Sequence, residues 1–299
     1  MTDLKTSEYD FSAIPFDDLV SVGQRTLLHR DIFTVSWLLG RFCNYKCSYC
    51  WPYARSDRKD HRPTELCLST IDEIKRQARD NGFNSFHFSL SGGEPTFHPG
   101  YLDILKHLSD DAHNTNYTSV HMTSNCSRNM KWFETYVDYA SKFHRASIMV
   151  PEVFDKYYEN ALFFHNQNIN VTLKPMSDPT ASRVVDGYTD EMKQKLYNDM
   201  PQRAYTEIKN KYVSRPKPNW KPLPEMKLDN GTVPQHFQVE FEDNKGKKWY
   251  MDQAERFNAF NFNKFTGWQC NAGFQGIIIR EPDGSIKRSY SCSDSPLGN

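Results

Sequence analysis

The sequence predicts an α/β fold built on a parallel sheet. From Ile32 onward, apolar strand-like stretches alternate with segments carrying a helical stripe, and the alternation repeats five times. Glycine-rich turns such as Gly40, Asn81-Gly82 and Gly92-Gly93 separate these segments. Strands that alternate with helices are joined by right-handed crossovers, which place the C-terminal ends of all strands on one edge.

The elements follow in order. Residues 1–30 show no period and are expected to form an N-terminal extension. The stretch I-F-T-V-S-W-L-L (32–39) is apolar enough for a buried strand and ends at Gly40. Thr70 and Glu73 fit a capping box that predicts a helix start at Ser69–Glu73, with Ile71, Ile74 and Ala78 as its stripe and Asn81-Gly82 as its stop. F-N-S-F-H-F-S-L (83–90) alternates as a strand and runs into S-G-G-E-P. Tyr101–Leu108 reads as a helix, Tyr117–Thr123 as a strand, Met130–Phe143 as a helix and Ala146–Val150 as a strand. Val153–His165 then reads as a helix and Ile169–Leu173 as a strand. Beyond Pro175 the pattern breaks into a polar, proline-rich connection, residues 177–235, with one helix expected near 190–212. Hairpins are expected at 236–250, turning at Asn244-Lys245-Gly246, and at Ile277–Tyr290, turning at Asp283-Gly284.

Composition narrows the function classes. Lysine plus arginine and aspartate plus glutamate each total 37, so the formal net charge is zero and no global field draws nucleic acid or an anionic membrane surface. No apolar run is long enough for a membrane-spanning helix. The acidic, polar N-terminus lacks a signal-peptide layout, which predicts a cytoplasmic protein. There are seven cysteines, and in a reducing compartment bunched cysteines point to metal or to chemistry.

Three of them, Cys43, Cys47 and Cys50, fall within C-N-Y-K-C-S-Y-C. Tetrahedral metal sites take four ligands, and His61 could close a structural zinc site with these three. The same triplet could hold a [4Fe-4S] cluster with one iron left open to an outside molecule. The spacing C-x3-C-x2-C, with Tyr49 before the last cysteine, resembles the signature of radical S-adenosylmethionine enzymes. S-G-G-E-P (91–95), after the second predicted strand, resembles that family's GGEP motif in spelling and place. Gly92 and Gly93 permit close backbone approach, Glu94 supplies a carboxylate suited to an ammonium group, and Pro95 stiffens the turn. Thr123-Ser124-Asn125 stands where family members often carry T-N-G, with Ser in the central place. Lys174, in L-K-P-M at the end of the fifth strand, is a further candidate for the cofactor's carboxylate.

The resemblance implies a partial (β/α)6, TIM-like barrel over residues 31–176, with a small α+β C-terminal extension. It implies an enzyme whose cluster reductively cleaves S-adenosylmethionine to a 5′-deoxyadenosyl radical, which removes hydrogen from a substrate. It also implies an electron donor such as flavodoxin or ferredoxin. Residues 267–292, with Cys270 and Cys292 bracketing a hairpin, resemble the opening of a SPASM or twitch extension, where an auxiliary iron–sulfur cluster is held. Family members often continue with L-G-N, which here falls at 297–299, so the extension (236–299) reads as cut short. Such extensions are associated with peptide or protein maturation and with sugar-alcohol oxidation. A substrate is therefore expected to be a peptide or a small molecule, and Trp220, Trp249 and Trp268 are candidates to line its cleft. The contrasting expectation is a non-catalytic module, either zinc-bound or an iron–sulfur electron carrier. Cys67 and Cys126 read as ordinary residues, although Cys126 falls on the ligand edge.

Overall fold

The structure, a computed structural model, describes residues 16–24, 32–46, 56–150, 160, 163–164, 166–167, 169–173, 176–177, 209–210, 238–252, 272–280 and 284–288. In chain order the strands are β1 (Leu19–Gln24), β2 (Phe33–Leu38), β3 (Ser85–Ser91), β4 (Tyr117–Thr123), β5 (Arg145–Val150), β6 (Asn170–Leu173), β7 (Met176–Ser177), β8 (Lys209–Asn210), β9 (Gln238–Asp243), β10 (Lys248–Asp252), β11 (Gly276–Ile279) and β12 (Ile286–Lys287). The helices are α1 (Thr64–Asp80), α2 (Tyr101–Asp110) and α3 (Met130–Ala140). The chain divides into two compact units, Met1–Arg30 with Val213–Cys270, and Asp31–Tyr212 with Asn271–Asn299.

In the first unit, β9 is the central strand of a three-stranded antiparallel sheet, between β1 and β10. The β9–β10 hairpin turns where Asn244-Lys245-Gly246 predicts. Asp243 Oδ1 accepts from the Lys245 and Lys247 amides at 2.9 and 2.8 Å, and Gly246 takes a φ of +78° that suits glycine.

The second unit holds a seven-stranded sheet in the order β12-β11-β2-β3-β4-β5-β6. Strands β2 to β6 are parallel and lie in sequence order, with α1, α2 and α3 as the first three crossovers. The hairpin β11–β12 extends this same sheet, with β11 parallel to β2. The C-terminal stretch 236–299 therefore contributes strands to two different sheets. Short β7 and β8 pair in parallel apart from both.

One face of β2–β5 is apolar, apart from buried Thr118, because alternate residues point the same way. Val35, Trp37, Phe88, Leu90, Met122 and Ile148 are fully buried there against Ile71, Leu105 and Phe133 of the helices. The other face forms cross-strand rows fixed by register. The lower row is Thr34, His87, Ser119 and Arg145; the middle row is Ser36, Ser89, His121 and Ser147; the upper row, nearest the C-terminal edge, is Leu38, Ser91, Thr123 and Met149.

Most predicted boundaries lie within two or three residues of those observed. The start of α1 does not. Its first residue is Thr64, after Pro63, whose fixed ring suits a helix N-terminus. Thr70 is mid-helix, and its hydroxyl donates to the Leu66 carbonyl at 2.7 Å instead of capping. The buried stripe reaches back to Cys67, which carries the helix a turn earlier than the capping pattern suggests. The helix stops where predicted, with Gly82 at a φ of +87°. The expected helices at 153–165 and 190–212 fall largely outside the described residues. Among the described residues, no helix is long and apolar enough to cross a membrane.

Candidate functional site

The loops after β2, β3 and β4 meet on the C-terminal edge of the sheet. The first two meet backbone to backbone, and the third joins them through the Glu94 carboxylate. Leu39 N donates to Ser91 O at 2.8 Å, Gly93 N to Gly40 O at 2.9 Å, and Glu94 N to Phe42 O at 2.7 Å. A Cβ on Gly92 would stand 2.3 Å from Gly40 O, and one on Gly93 would stand 2.3 Å from both Arg41 O and Phe42 O. The two glycines are thus required by the contact between the GGEP loop and the strand that delivers the first cysteine.

The cysteine loop leaves and returns at a fixed base. Cys43 N donates to Ser56 O at 3.4 Å, and Ser56 N donates to Arg41 O at 2.7 Å. Cys43 is half-buried, and its sulfur accepts from the Tyr45 amide at 3.4 Å. Tyr49, Cys47 and Cys50 lie outside the described residues, as do Lys174, Cys270, Cys292, Trp220 and Trp268. Trp249 lies in β10.

Glu94 is the buried centre of the site, at 2% exposure. Its Oε1 accepts from Thr96 N at 3.2 Å, Thr96 Oγ1 at 2.7 Å and Ser124 Oγ at 2.8 Å, while Oε2 accepts from Asn125 N at 2.7 Å. Burial pushes the carboxyl above its ordinary range, and the hydrogen bonds from Asn125, Thr96 and Ser124 oppose that shift.

Asn125 joins Glu94 to the cysteine loop. Its Nδ2 donates to Asn44 Oδ1 at 3.0 Å and lies 3.9 Å from Cys43 Sγ. Asn44 Nδ2 in turn donates to Ser127 Oγ at 2.9 Å, and Ser127 N donates to Asn125 Oδ1 at 3.1 Å. Thr123 ends β4 and belongs to the upper row instead of bonding Glu94.

The residue after Asn125 is conformationally unusual. Cys126 takes a φ of +57°, in the left-handed region that a side chain disfavours, and is fully buried. Two contacts hold it there. Its amide donates to Ser124 Oγ at 3.0 Å, and Asn160 Nδ2 donates to the carbonyls of Cys126 at 2.8 Å and Arg128 at 3.1 Å. Burial pushes the Cys126 thiol well above its usual range, so it stays protonated.

Three further residues support the site. Thr96 donates twice to Glu94. Arg128 donates from Nε to Thr96 O at 3.0 Å and lies over the Phe97 ring at 4.3 Å. His98, 2% exposed, packs its ring 5.1 Å from that of His61. Sequence reasoning passes over Thr96, Arg128 and Asn160. Thr96 lies two residues after Glu94 in the chain and is findable by proximity; Asn160 acts only through the folded structure. His61, the candidate fourth zinc ligand, packs against Phe42 and His98. Among the described residues, no group of three or more His, Cys, Asp or Glu is placed to hold a metal ion.

A sequence profile described as "Radical SAM superfamily" matches residues 37–189, just over half of the chain. A relative, the S-adenosylmethionine-dependent nucleotide dehydratase RSAD2 of Oncorhynchus mykiss, is 33% identical over 110 residues, which are 36% of this chain and 28% of that protein. The chain thus matches less than a third of that relative's length. Among solved structures, "Native anSMEcpe with bound AdoMet" is similar with a TM-score of 0.44 and 15% identity, over 66% of this chain and 56% of that one. "Native anSMEcpe with bound AdoMet and Kp18Cys peptide" is similar with a TM-score of 0.44 and 14% identity, again over 66% and 56%.

Proposed function

The chain belongs to the radical SAM superfamily, and from that premise we propose that its three joined loops are the S-adenosylmethionine and iron–sulfur site of a radical enzyme. Family membership implies an enzyme, a [4Fe-4S] cluster and S-adenosylmethionine. The observation that carries the residue assignment is Asn125. Its amide donates to Glu94 at 2.7 Å while its side chain lies 3.9 Å from the Cys43 sulfur, so the candidate cofactor carboxylate and the first cysteine share one hydrogen-bonded support.

The residues fit the group. Cys43 presents a half-buried sulfur at the sheet edge, approached by N–H donors that favour a thiolate. Cys43, Cys47 and Cys50 would hold the cluster. When bound, that cluster supplies the electron that splits S-adenosylmethionine to methionine and a 5′-deoxyadenosyl radical. The chain's own task is to bind, orient and exclude water. Glu94 Oε1 already accepts three hydrogen bonds, whereas Oε2 accepts one from Asn125. A carboxylate oxygen has room for about two strong donors, so Oε2 is the atom left to receive the cofactor's ammonium. An arriving positive charge would also stabilise the buried carboxylate. Gly92, Gly93 and Pro95 set the position of that carboxylate. Tyr49, Thr123, Ser124, Asn125 and Lys174 are the remaining proposed cofactor contacts.

One alignment is revised. The T-N-G pattern is better set on Ser124-Asn125-Cys126 than on Thr123-Ser124-Asn125. The shift puts a hydroxyl, an asparagine and a left-handed residue in the three places. The partial-barrel reading is supported by the consecutive order of β2 to β6. An auxiliary cluster at Cys270 and Cys292, and an electron donor such as flavodoxin or ferredoxin, complete the proposal. Substrate candidates are a peptide or a sugar alcohol, and the dehydratase relative adds a nucleotide.

The test is Glu94→Ala in anaerobically reconstituted protein. S-adenosylmethionine affinity should fall at least ten-fold, corresponding to about 1.4 kcal/mol or more, with iron content intact. Loss of iron with unchanged affinity per cluster would mean that Glu94 serves the cluster and not the cofactor.

A further inference from the structure

Resting on the radical reading above, we propose that Asn44 is a positioning residue for the iron–sulfur site: it turns the Asn125 amide so that an N–H points at the Cys43 sulfur, and by that aim it raises the reduction potential of the cluster. Asn44 follows Cys43 in the chain and carries no charge. Its side chain closes a triangle of hydrogen bonds with two residues of the loop after β4. Asn125 Nδ2 donates to Asn44 Oδ1 at 3.0 Å, Asn44 Nδ2 donates to Ser127 Oγ at 2.9 Å, and Ser127 N donates to Asn125 Oδ1 at 3.1 Å.

The triangle fixes which end of the Asn125 amide faces which neighbour. A backbone N–H only donates, so that of Ser127 holds Asn125 Oδ1 on its own side and turns Nδ2 toward the cysteine loop. An amide nitrogen carries two hydrogens. Asn44 Oδ1 takes one, and the Cys43 sulfur, 3.9 Å from Nδ2, lies within reach of the other. The far side of the triangle is held firmly. Asn125 is buried, its backbone amide donates to Glu94 at 2.7 Å, and Asn160 holds the carbonyls of Cys126 and Arg128 on either side of Ser127. Asn44 is exposed and is the member supplied by the cysteine loop. Without its carbonyl, the Asn125 nitrogen keeps only the long contact to sulfur, which is too weak to hold the amide in place.

The electrostatic consequence has a sign. Reduction adds one negative charge to a cluster held by Cys43, Cys47 and Cys50. A donor aimed at a ligating sulfur stabilises the more negative state and so eases reduction. The Tyr45 amide, 3.4 Å from the same sulfur, acts in the same sense but belongs to the loop's own backbone. A merely structural Asn44 would work in the opposite direction. Loosening the loop admits water, which also stabilises the more negative state, so its loss would raise the potential. Loss of the aimed donor lowers it.

The experiment uses the full chain, reconstituted with iron and sulfide under anaerobic conditions and kept free of S-adenosylmethionine. Dithionite supplies one electron per cluster through redox mediators, and the reduced fraction is read by electron paramagnetic resonance. In Asn44→Ala, the ratio of reduced to oxidised cluster at a given potential should fall three-fold or more, a shift of about 28 mV or more to the negative at 59 mV per ten-fold. Ser127→Ala removes the hydroxyl that holds Asn44 and should move the potential in the same direction by less. If Asn44→Ala does not retain its iron, Ser127→Ala alone carries the test. A potential that is unchanged or moved upward in the variant that keeps its cluster overturns the proposal, and loss of iron from both variants overturns it too, since it gives Asn44 a structural role. Wild-type protein that assembles no reducible [4Fe-4S] cluster would instead remove the radical reading itself.

Discussion

Adding one methyl group at Gly93 should pull the cysteine-bearing strand away from the GGEP loop. The Cβ of Gly93→Ala would lie 2.3 Å from the carbonyl oxygens of both Arg41 and Phe42. Ordinary carbon–oxygen contacts are about 3.3 Å or longer, so the loops must part by about 1 Å. Two backbone hydrogen bonds span that gap, Gly93 N to Gly40 O at 2.9 Å and Glu94 N to Phe42 O at 2.7 Å. Neither survives such a shift with good geometry. Leaving buried backbone groups unmade costs about 1–3 kcal/mol each, so the loss is about 2–6 kcal/mol. In a unit of this size that lowers the melting temperature by roughly 5–20 °C. Calorimetry on cofactor-free protein reads the shift. Gly82→Ala is the control. It has a left-handed φ of +87° but nothing within 4 Å of the added Cβ, so it should cost only about 1 kcal/mol. A Gly93→Ala melting temperature equal to that of Gly82→Ala would refute the view that glycine is required here by loop contact.

Two further outcomes follow from the same neighbourhood. Burial, and secondarily His61, holds the His98 imidazole at about 4 instead of 6.5. The unfolded chain therefore takes up a proton at a pH where the folded chain does not, so stability is full above 6.5 and falls by about 3 kcal/mol as pH drops toward 4. In His98→Asn that acid-side loss should shrink, measured as urea midpoints at pH 7 and pH 5; an unchanged difference between the two midpoints would count against the assignment. Asn160→Ala leaves the carbonyls of Cys126 and Arg128 without their side-chain donor, at about 1–3 kcal/mol. Because the loosened loop carries Asn125, the KM for S-adenosylmethionine should rise several-fold; a loss of stability with KM unmoved would give Asn160 a purely structural role.

Periodicity makes the alternating strands and helices legible, because burial on one sheet face imposes a pattern that survives in the sequence. The GGEP loop is legible as a motif, but the reason for its glycines is not, since Gly40, Arg41 and Phe42 approach them only in the folded chain. Thr70 and Glu73 mimic a helix start, yet the stripe beginning at Cys67 and the ring of Pro63 decide the true one. The T-N-G-like register is set on Thr123-Ser124-Asn125 in the sequence, and the proposed shift to Ser124-Asn125-Cys126 draws on the left-handed backbone of Cys126, which leaves no mark there. Asn160 is invisible for a related reason: an asparagine that bonds two carbonyls 32 and 34 residues away looks like any polar residue on a helix.

The central claim is that the loops joined through Asn125 support radical chemistry on S-adenosylmethionine. Its most direct test is wild-type protein reconstituted anaerobically with iron and sulfide, then given S-adenosylmethionine and a strong one-electron reductant. The account predicts about four irons at the Cys43, Cys47 and Cys50 site, and release of methionine and 5′-deoxyadenosine in equal amounts. Protein that retains only zinc and releases no 5′-deoxyadenosine would contradict it.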